Sequence, residues 1–536
     1  MSTTVLNDEP KSVVSVSDES NMPNMANMPE PAKKSQILVI LLCLFAAMGG
    51  FVFGYDTGTI SGFINMDSFL ESFGETDESG VFFLSRMRAG LIVGLFSIGA
   101  FLGTLLGGYL ADKVGRKKGI VYVALVYIVG MLIQITAFSA WYQIAIGRVI
   151  GGVGIGALSV LVPMFQSETA PQNLRGALVS SFQLFITLGI FVGFSVCYAT
   201  KSRPDTGAFR IPMGLCFAWA FILLIGMCFM PESPRYLVSV GRVEEARKAM
   251  AMTNQVPLHD AVIDEELQAI EKSVIREQTA GKATWKELFT GEPRMGYRLT
   301  LGILIQVLQQ LCGANYFFYY GTSIFKAIGM SDSFATSMIF GGINFLSTFG
   351  GLYIVDRFGR RKCLLGGAMV MFVCFLVYST VGFAALYPNG DTSLPASKTV
   401  GDVMILFTCI FIAAFASTWA PIAFVVVSET FPLRMRSKGM AVATGGNWMI
   451  NFLVSFLTPF ITTAIGFKYG YVFTACLGFA IVFVYFFIPE TKGLSLEDVD
   501  ELYASGVSAR KSPDWLPSSK KQENESKNSM AFSESS

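Results

Sequence analysis

The sequence predicts an all-α membrane protein, with twelve membrane-spanning helices in two six-helix pseudo-repeats joined by a helical linker. Three observations lead there. The 536-residue chain is 52% hydrophobic and only 15% charged, where soluble domains carry about 25% charged residues. Its mean hydropathy is +0.52, and apolar runs long enough for the roughly 20 residues of a spanning helix recur along most of it. Three short charged motifs also occur twice, in the same order.

Residues 1–36 are rich in Ser, Asn, Met, Pro and acidic side chains and lack the apolar stretch of a signal peptide, so a disordered tail is expected. Six spans follow, at roughly 37–59, 90–110, 119–138, 142–165, 177–198 and 211–230, and form a first half over 37–230. Residues 231–297 are polar with helical patterning and read as a linker. Six more spans, at roughly 298–320, 334–355, 362–383, 402–426, 436–463 and 468–488, make a second half over 298–488. Residues 489–536 form a polar tail, expected to be disordered after about Leu502. Lys113, Arg116, Lys117 and Lys118, then Arg357, Arg360, Arg361 and Lys362, then Arg434, Arg436 and Lys438 fall in loops on the linker's side. The loop after helix 1 is acidic instead. Positive charge marks the cytoplasmic side, so linker and both termini are expected there.

Composition also excludes. A net charge of +1 gives no surface for nucleic acid. The single histidine, His259, offers no histidine metal site. The nine cysteines lie in or beside apolar runs without a CxxC pair, which is no secreted disulfide framework. No GxxxxGK[ST] loop is present, and Gly-rich 147–158 reads as a helix packed closely on a neighbour. The membrane amides offer no nucleophile–base pair, so neither an enzyme nor a cofactor is expected.

The halves echo each other. Gly108 to Lys117 (GYLADKVGRK) matches Gly351 to Arg361 (GLYIVDRFGRR), Glu168-Thr-Ala-Pro matches Glu429-Thr-Phe-Pro, and Pro231-Glu-Ser-Pro matches Pro489-Glu-Thr-Lys. With PESPRYL (231–237) and PETKG (489–493), this set resembles the sugar porter family of the major facilitator superfamily, from about Gln36 to Leu502. GYDTGTISGF (54–63), the segment 418–440 and NWMINF (447–452) are most similar to yeast and other fungal hexose transporters. The resemblance implies a cytoplasmic salt-bridge network of Asp112, Arg116, Glu168 and Arg175, with a counterpart of Asp356, Arg360, Glu429 and Arg434. Glu232 and Glu490 join it, and the whole latches the two halves while the carrier is open outward.

Polar groups at membrane depth are costly unless they find partners or face a cavity. Gln183, Gln309, Gln310, Asn315, Asn344, Asn447 and Asn451 are such groups, and Asn447 and Asn451 share a face at i,i+4 with Trp448 between them. Carboxamides donate and accept without charge, as a neutral polyol requires. Helix–helix hydrogen bonding is the competing reading for any one of them. The family positions favour sugar contacts, to which Trp448 also belongs, with Trp419 and Phe424 walling the cavity. At 100° per residue Gln310 and Asn315 lie about 140° apart on an ideal helix. Both face one ligand only if the helix breaks, and Gly313 permits that. Tyr319 and Tyr320 are then expected as an extracellular gate. Pro421 removes a donor from helix 10, which is expected to bend. Asp56 and Arg148 are charges at membrane depth; a static ion pair and a proton carrier both remain open. The reading implied is a plasma-membrane hexose carrier with D-glucose as substrate and fructose or mannose as alternatives, working by alternating access as a facilitator. Proton symport through Asp56, a glucose sensor, or a porter for another sugar or polyol are the competing functions.

Overall fold

The computed structural model describes residues 37–170, 174–279, 281, 284–330, 332–387, 396–432, 434–494 and 496–518, without the side chains of Arg175, 276–278, Asp356 and 496–497. The N-terminal tail 1–36 therefore lies outside the described residues. Among the described residues the chain is helical save for a two-residue strand pair, Glu75–Thr76 with Phe82–Phe83, in the loop after helix 1. Helices 1 to 6 are Ile37–Phe63, Arg86–Val114, Arg116–Ile135, Trp141–Thr169, Arg175–Thr200 and Gly207–Phe229. Helix 7 is Met295–Leu311 continued by Ala314–Ala327, helix 8 is Ser333–Phe358 and helix 9 is Arg360–Ala384. Helix 10 is Lys398–Ser417 continued by Trp419–Thr430. The last apolar stretch, Arg436–Phe487, has 52 residues. As one helix it would be about 78 Å long, more than twice the hydrocarbon core. A short 3₁₀ turn at Gly466–Tyr469 folds it into helix 11 (Arg436–Ile465) and helix 12 (Gly470–Phe487), which completes twelve crossings.

Helices run a few residues past the apolar cores that the sequence marks. Helix 2 starts at Arg86 and ends beyond Asp112 and Lys113, because long charged side chains at helix ends reach the membrane surface. Small residues set how closely the helices approach. A Cβ on Gly54 of helix 1 would stand 1.9 Å from the Ile186 carbonyl oxygen of helix 5, and one on Gly58 2.5 Å from that of Ile190. Helices 2 and 4 interlock likewise: a Cβ on Gly103 would meet the Val153 oxygen at 2.1 Å, and one on Gly156 the Ala100 oxygen at 2.0 Å. The glycines of 147–158 thus serve packing inside helix 4.

Among the described residues the halves meet chiefly where helix 1 packs on helix 7, helix 2 on helix 11 and helix 5 on helix 8. On the side away from the linker, polar bonds tie them. Ser61 and Thr322 hydroxyls stand 3.3 Å apart, Ser323 donates to Asn65 Oδ1 at 2.9 Å, and the Lys201 ammonium meets Asp332 at 2.5 Å. A Cβ on Gly90 would reach the Phe456 oxygen of helix 11 at 2.7 Å, so the same side is closely packed.

The linker helices Pro234–Ser239, Val243–Asn254 and Ala261–Thr279 share a small core of their own around Leu237, Met250 and Ile263. The C-terminal tail departs from expectation. A helix at Leu496–Ser505 packs under helices 7 and 10, with Asp500 2.5 Å from the fully buried Arg298 guanidinium, which also stacks on the Tyr503 ring at 4.5 Å. Ser512 Oγ accepts the Glu490 N–H at 2.8 Å. Charge burial at Arg298, which composition does not reveal, holds the tail helix, and Ser518 donates back to Glu501 of that helix; 519–536 lie outside the described residues.

Filling the helix 1–helix 5 contact is expected to be costly. Gly54→Val should lower the yield of monodisperse protein and its thermal midpoint, since overpacking costs about 1–3 kcal/mol or more. Gly108→Ala, where nothing lies within 4 Å, should leave both unchanged. Size-exclusion profiles and thermal unfolding in detergent check this.

Candidate functional site

Helix 7 breaks where the sequence places Gly313. That residue has φ +90°, and a Cβ there would also strike Phe375 at 2.8 Å. Helix 10 breaks at Thr418, with φ −131° and ψ −78°. Pro421 sits in the first turn of the segment that follows, where a missing N–H costs nothing, while its ring cannot pack on the carbonyl four residues back in a continuous helix. Gln309 joins the two discontinuities, donating to the carbonyls of Trp419 at 3.1 Å and Ala420 at 3.0 Å.

A carboxamide cluster forms at these breaks. Gln310 donates to Asn447 Oδ1 at 2.7 Å, and Asn315 donates to Gln310 Oε1 at 2.6 Å across the break in helix 7. Asn447 Nδ2 lies 2.7 Å from both Gln306 Oε1 and Gln309 Oε1. Gln306 was not singled out from the sequence. Its signal was there, since it precedes Gln310 by one helical turn and shares its face. One turn further along helix 11, Asn451 donates to the Tyr319 hydroxyl at 3.3 Å and accepts from Ser455 at 3.1 Å. Tyr320 donates to the Ser455 carbonyl at 2.7 Å. Both tyrosines, the expected gate, are buried beyond the cluster, on the side away from the linker.

Two buried donors at this cluster have no partner among the described residues, Gln306 Nε2 and Trp448 Nε1, and neither does Asn344 Nδ2 on helix 8. Gln183, half-buried on helix 5, likewise has no hydrogen bond among the described residues. It lies on the stripe 183–187–191, whose Phe191 packs against Gly341 and Gly342 of helix 8, so it faces the other half. Trp419 does not wall this space. It is fully buried and its indole N–H donates to the Leu364 carbonyl of helix 9 at 2.9 Å, because the break at Thr418 turns it into the second half's own core.

Trp448 is the bridge to the first half. Its ring lies 5.4 Å from that of Phe53 and 6.4 Å from that of Phe96. The Arg148 guanidinium stands over Phe96 at 4.4 Å, donates to the Ile92 carbonyl at 3.2 Å and meets Asp56 at 2.6 Å. Both side chains of this pair are almost completely buried, and Arg148 Nη2 has no partner among the described residues. The sequence pairing of Asp56 with Arg148 is thus a direct contact, one aromatic ring away from the amide cluster.

At the linker-side helix ends the repeat is reproduced bond by bond. Glu232 accepts the N–H groups of Arg116 at 3.0 Å and Lys117 at 2.9 Å; Glu490 accepts those of Arg360 at 2.9 Å and Arg361 at 3.1 Å. A carboxylate on the first N–H groups of a helix satisfies orphan donors and meets the positive end of its dipole. Gly115 and Gly359 make room, since a Cβ on either would stand 2.5 Å from the carboxylate. Arg116 then grips Glu168 at 2.8 Å, and Arg360 grips Glu429 at 2.8 Å. Ser233 and Thr491 hydroxyls close each network by donating to Glu168 and Glu429. These bonds run within a half or to the segment that follows it. In this structure, which is closed on the side away from the linker, they brace each half, because each Arg opens a helix whose nearest carboxylate ends the next helix of the same half. Asp112 contributes little, exposed and 3.9 Å from Arg116. Arg434, the counterpart of Arg175, turns to the linker, where it pairs with Glu287. The side chains of Arg175 and Asp356 lie outside the described residues.

Comparison with known proteins agrees with this architecture. Residues 42–503 match the family model described as Sugar (and other) transporter. The chain is 50% identical over 493 residues to the low-affinity glucose transporter HXT3 of Saccharomyces cerevisiae, covering 92% of this chain and 87% of that protein. It is 53% identical over 483 residues to the hexose transporter HXT10 of the same yeast, covering 90% and 88%. Among solved structures it is similar to the proton:xylose symporter XylE bound to 6-bromo-6-deoxy-D-glucose, with TM-score 0.72, 27% identity and coverage of 88% of this chain and 100% of that chain. Inward-open XylE from E. coli gives TM-score 0.69 at 26% identity, covering 87% and 99%. The twelve helices form the major facilitator fold.

Two outcomes follow from the charged pairs. Asp56→Asn leaves Arg148 buried without its counter-charge, which is expected to cost about 3–5 kcal/mol. Asp56→Asn with Arg148→Met should regain most of it, and thermal unfolding of the three proteins reads this directly. Burial alone would raise the Asp332 carboxyl, but Lys201 and the N–H groups of Ala335 and Phe334 outweigh it and hold it below its ordinary value. A depressed carboxylate stabilises above its unfolded pKa, near 3.9, and that gain is lost as pH falls through the folded value. The stability difference between the parent and Lys201→Met should therefore stay level from pH 7 to about 5 and vanish only below about 4.

Proposed function

We propose that this chain, which belongs to the Sugar (and other) transporter family, is a hexose carrier of the plasma membrane, with D-glucose as its principal substrate and fructose or mannose as secondary ones. The supporting observation is the carboxamide cluster gathered at the breaks of helices 7 and 10, in which Gln306 keeps a buried donor without a partner among the described residues. An unpartnered buried donor costs about 1–3 kcal/mol. A neutral ligand with several hydroxyls satisfies such donors without bringing charge into the membrane. Gln183, Gln309, Gln310, Asn315, Asn344, Asn447 and Asn451 contact or position the sugar, and Trp448 covers its apolar face. The relatives named as glucose and hexose transporters support the same reading.

Transport proceeds by alternating access. The two halves, each braced by its own Arg–Glu network, rock as rigid bodies. Tyr319, Tyr320 and the bonds Ser61–Thr322, Asn65–Ser323 and Lys201–Asp332 close one side. The concentration of Lys and Arg on the linker's side supports a cytoplasmic linker and cytoplasmic termini, so the closed side is extracellular. Facilitated diffusion is the simpler mechanism. The buried Asp56–Arg148 pair, one ring from the site, and the likeness to a proton:xylose symporter favour proton coupling as the second reading.

Uptake of labelled glucose into proteoliposomes of the purified chain tests both, with and without an inward proton gradient. A facilitator stops at equilibrium under either condition; accumulation that appears only with the gradient establishes symport and overturns the first mechanism. Gln310→Ala should weaken glucose affinity about 5- to 150-fold without lowering protein yield. An unchanged affinity removes the amide cluster from the substrate site.

A further inference from the structure

On the membrane-facing surface of the second half, helices 8, 9 and 10 leave a groove of about 340 Å³ near their linker-side ends. Its walls are apolar, from Ile354 and Phe358 of helix 8, Val370 of helix 9 and Ala414 of helix 10. Its floor is Gly366, where an added Cβ would meet nothing within 4 Å. The neighbouring Gly367 has a packing reason, since a Cβ there would strike Thr418 Oγ1 at 2.0 Å; Gly366 has none. Lys362 stands at the mouth, exposed and without an ion-pair partner among the described residues. Its neighbours are engaged: Arg360 with Glu429, Arg361 with the Tyr485 carbonyl at 2.7 Å, and Arg357 with the Tyr353 hydroxyl at 2.9 Å.

The internal repeat sharpens this. Aligning Gly115-Arg116 on Gly359-Arg360 places Lys118 on Lys362, Tyr122 on Gly366 and Val123 on Gly367. In the first half a tyrosine ring stands at the position where the second half has a glycine and open space. The groove is therefore a departure from the duplicated architecture rather than a product of it. An apolar slot in a lipid-facing wall with one free cation at the membrane surface fits a molecule with an alkyl chain and an anionic head.

We propose that this groove is a binding site for an anionic glycerophospholipid, whose phosphate meets Lys362 and whose acyl chain lies over Gly366. The site also borders Thr418, the break in helix 10, so occupancy bears on the segment whose carbonyls Gln309 holds.

The test titrates the delipidated full-length chain with phosphatidylserine and with phosphatidylcholine and reads bound lipid by native mass spectrometry. One juxtamembrane lysine is expected to give about a fivefold preference for the anionic lipid. Lys362→Gln and Gly366→Tyr, which restores the side chain of the first half, should both abolish that preference. Lys118→Gln should keep it. Should Gly366→Tyr fold poorly by size exclusion, Val370→Trp fills the groove from its other end. Preference retained in the groove-filling variant, or lost equally in Lys118→Gln, reduces the effect to general surface charge and overturns the site. Equal competition by glycerophosphoserine, which lacks acyl chains, overturns it as well.

Discussion

Backbone and side-chain polar groups inside a membrane must find partners within the protein, and the arrangement of helices 7 and 10 follows from that. Each is interrupted, at Gly313 and at Thr418, and Gln309 of one donates to carbonyls beside the break in the other. The remaining amides gather round this junction because there they can satisfy one another. The same constraint makes the exceptions informative. Gln306, whose Oε1 is bound to Asn447, keeps a buried donor without a partner among the described residues, and so does Trp448 next to Asn447 in the chain.

Around that junction the chain is two halves built on one plan. In each, a carboxylate (Glu232 or Glu490) receives the first N–H groups of the third helix of its half, a glycine leaves it room, and an arginine binds the carboxylate that ends the following helices. Charge-assisted bonds of this kind are about twice as strong as neutral ones. The ties described between the halves are of another sort: hydroxyl and amide pairs and the ion pair Lys201–Asp332 at the membrane edge. Strong bonds within halves and modest bonds between them are what the proposed alternating access requires, since the halves would have to move against each other without coming apart.

Much of the candidate site was legible before any coordinates. Gln310, Asn315, Asn447 and Asn451 stood out as polar residues in apolar runs, and the angle between Gln310 and Asn315 demanded a break where Gly313 stands. Asp56 and Arg148 stood out for the same reason. Gln306 was overlooked although its spacing repeated that of Gln310. Trp419 was misplaced because residue type says nothing of direction when the helix turns at Thr418. Arg434 is the repeat's counterpart of Arg175, and its place in the chain does not reveal that a linker carboxylate, Glu287, lies within its reach.

The sequence by itself determined the twelve spans, the duplication, the linker and the position of the helix 7 break. All of these depend on hydropathy, charge and backbone freedom, which act along the chain. Tertiary structure decided which polar groups meet. It alone put Trp448 against Phe53 and Phe96, joined the halves through Lys201 and Asp332, drew the tail helix onto Arg298 and opened a groove over Gly366 where the first half carries Tyr122. The physical reason is that hydrogen bonds, ion pairs and close packing are short-ranged. A residue's partner is set by whichever helix comes within a few ångströms of it, and that is fixed only when the helices have packed.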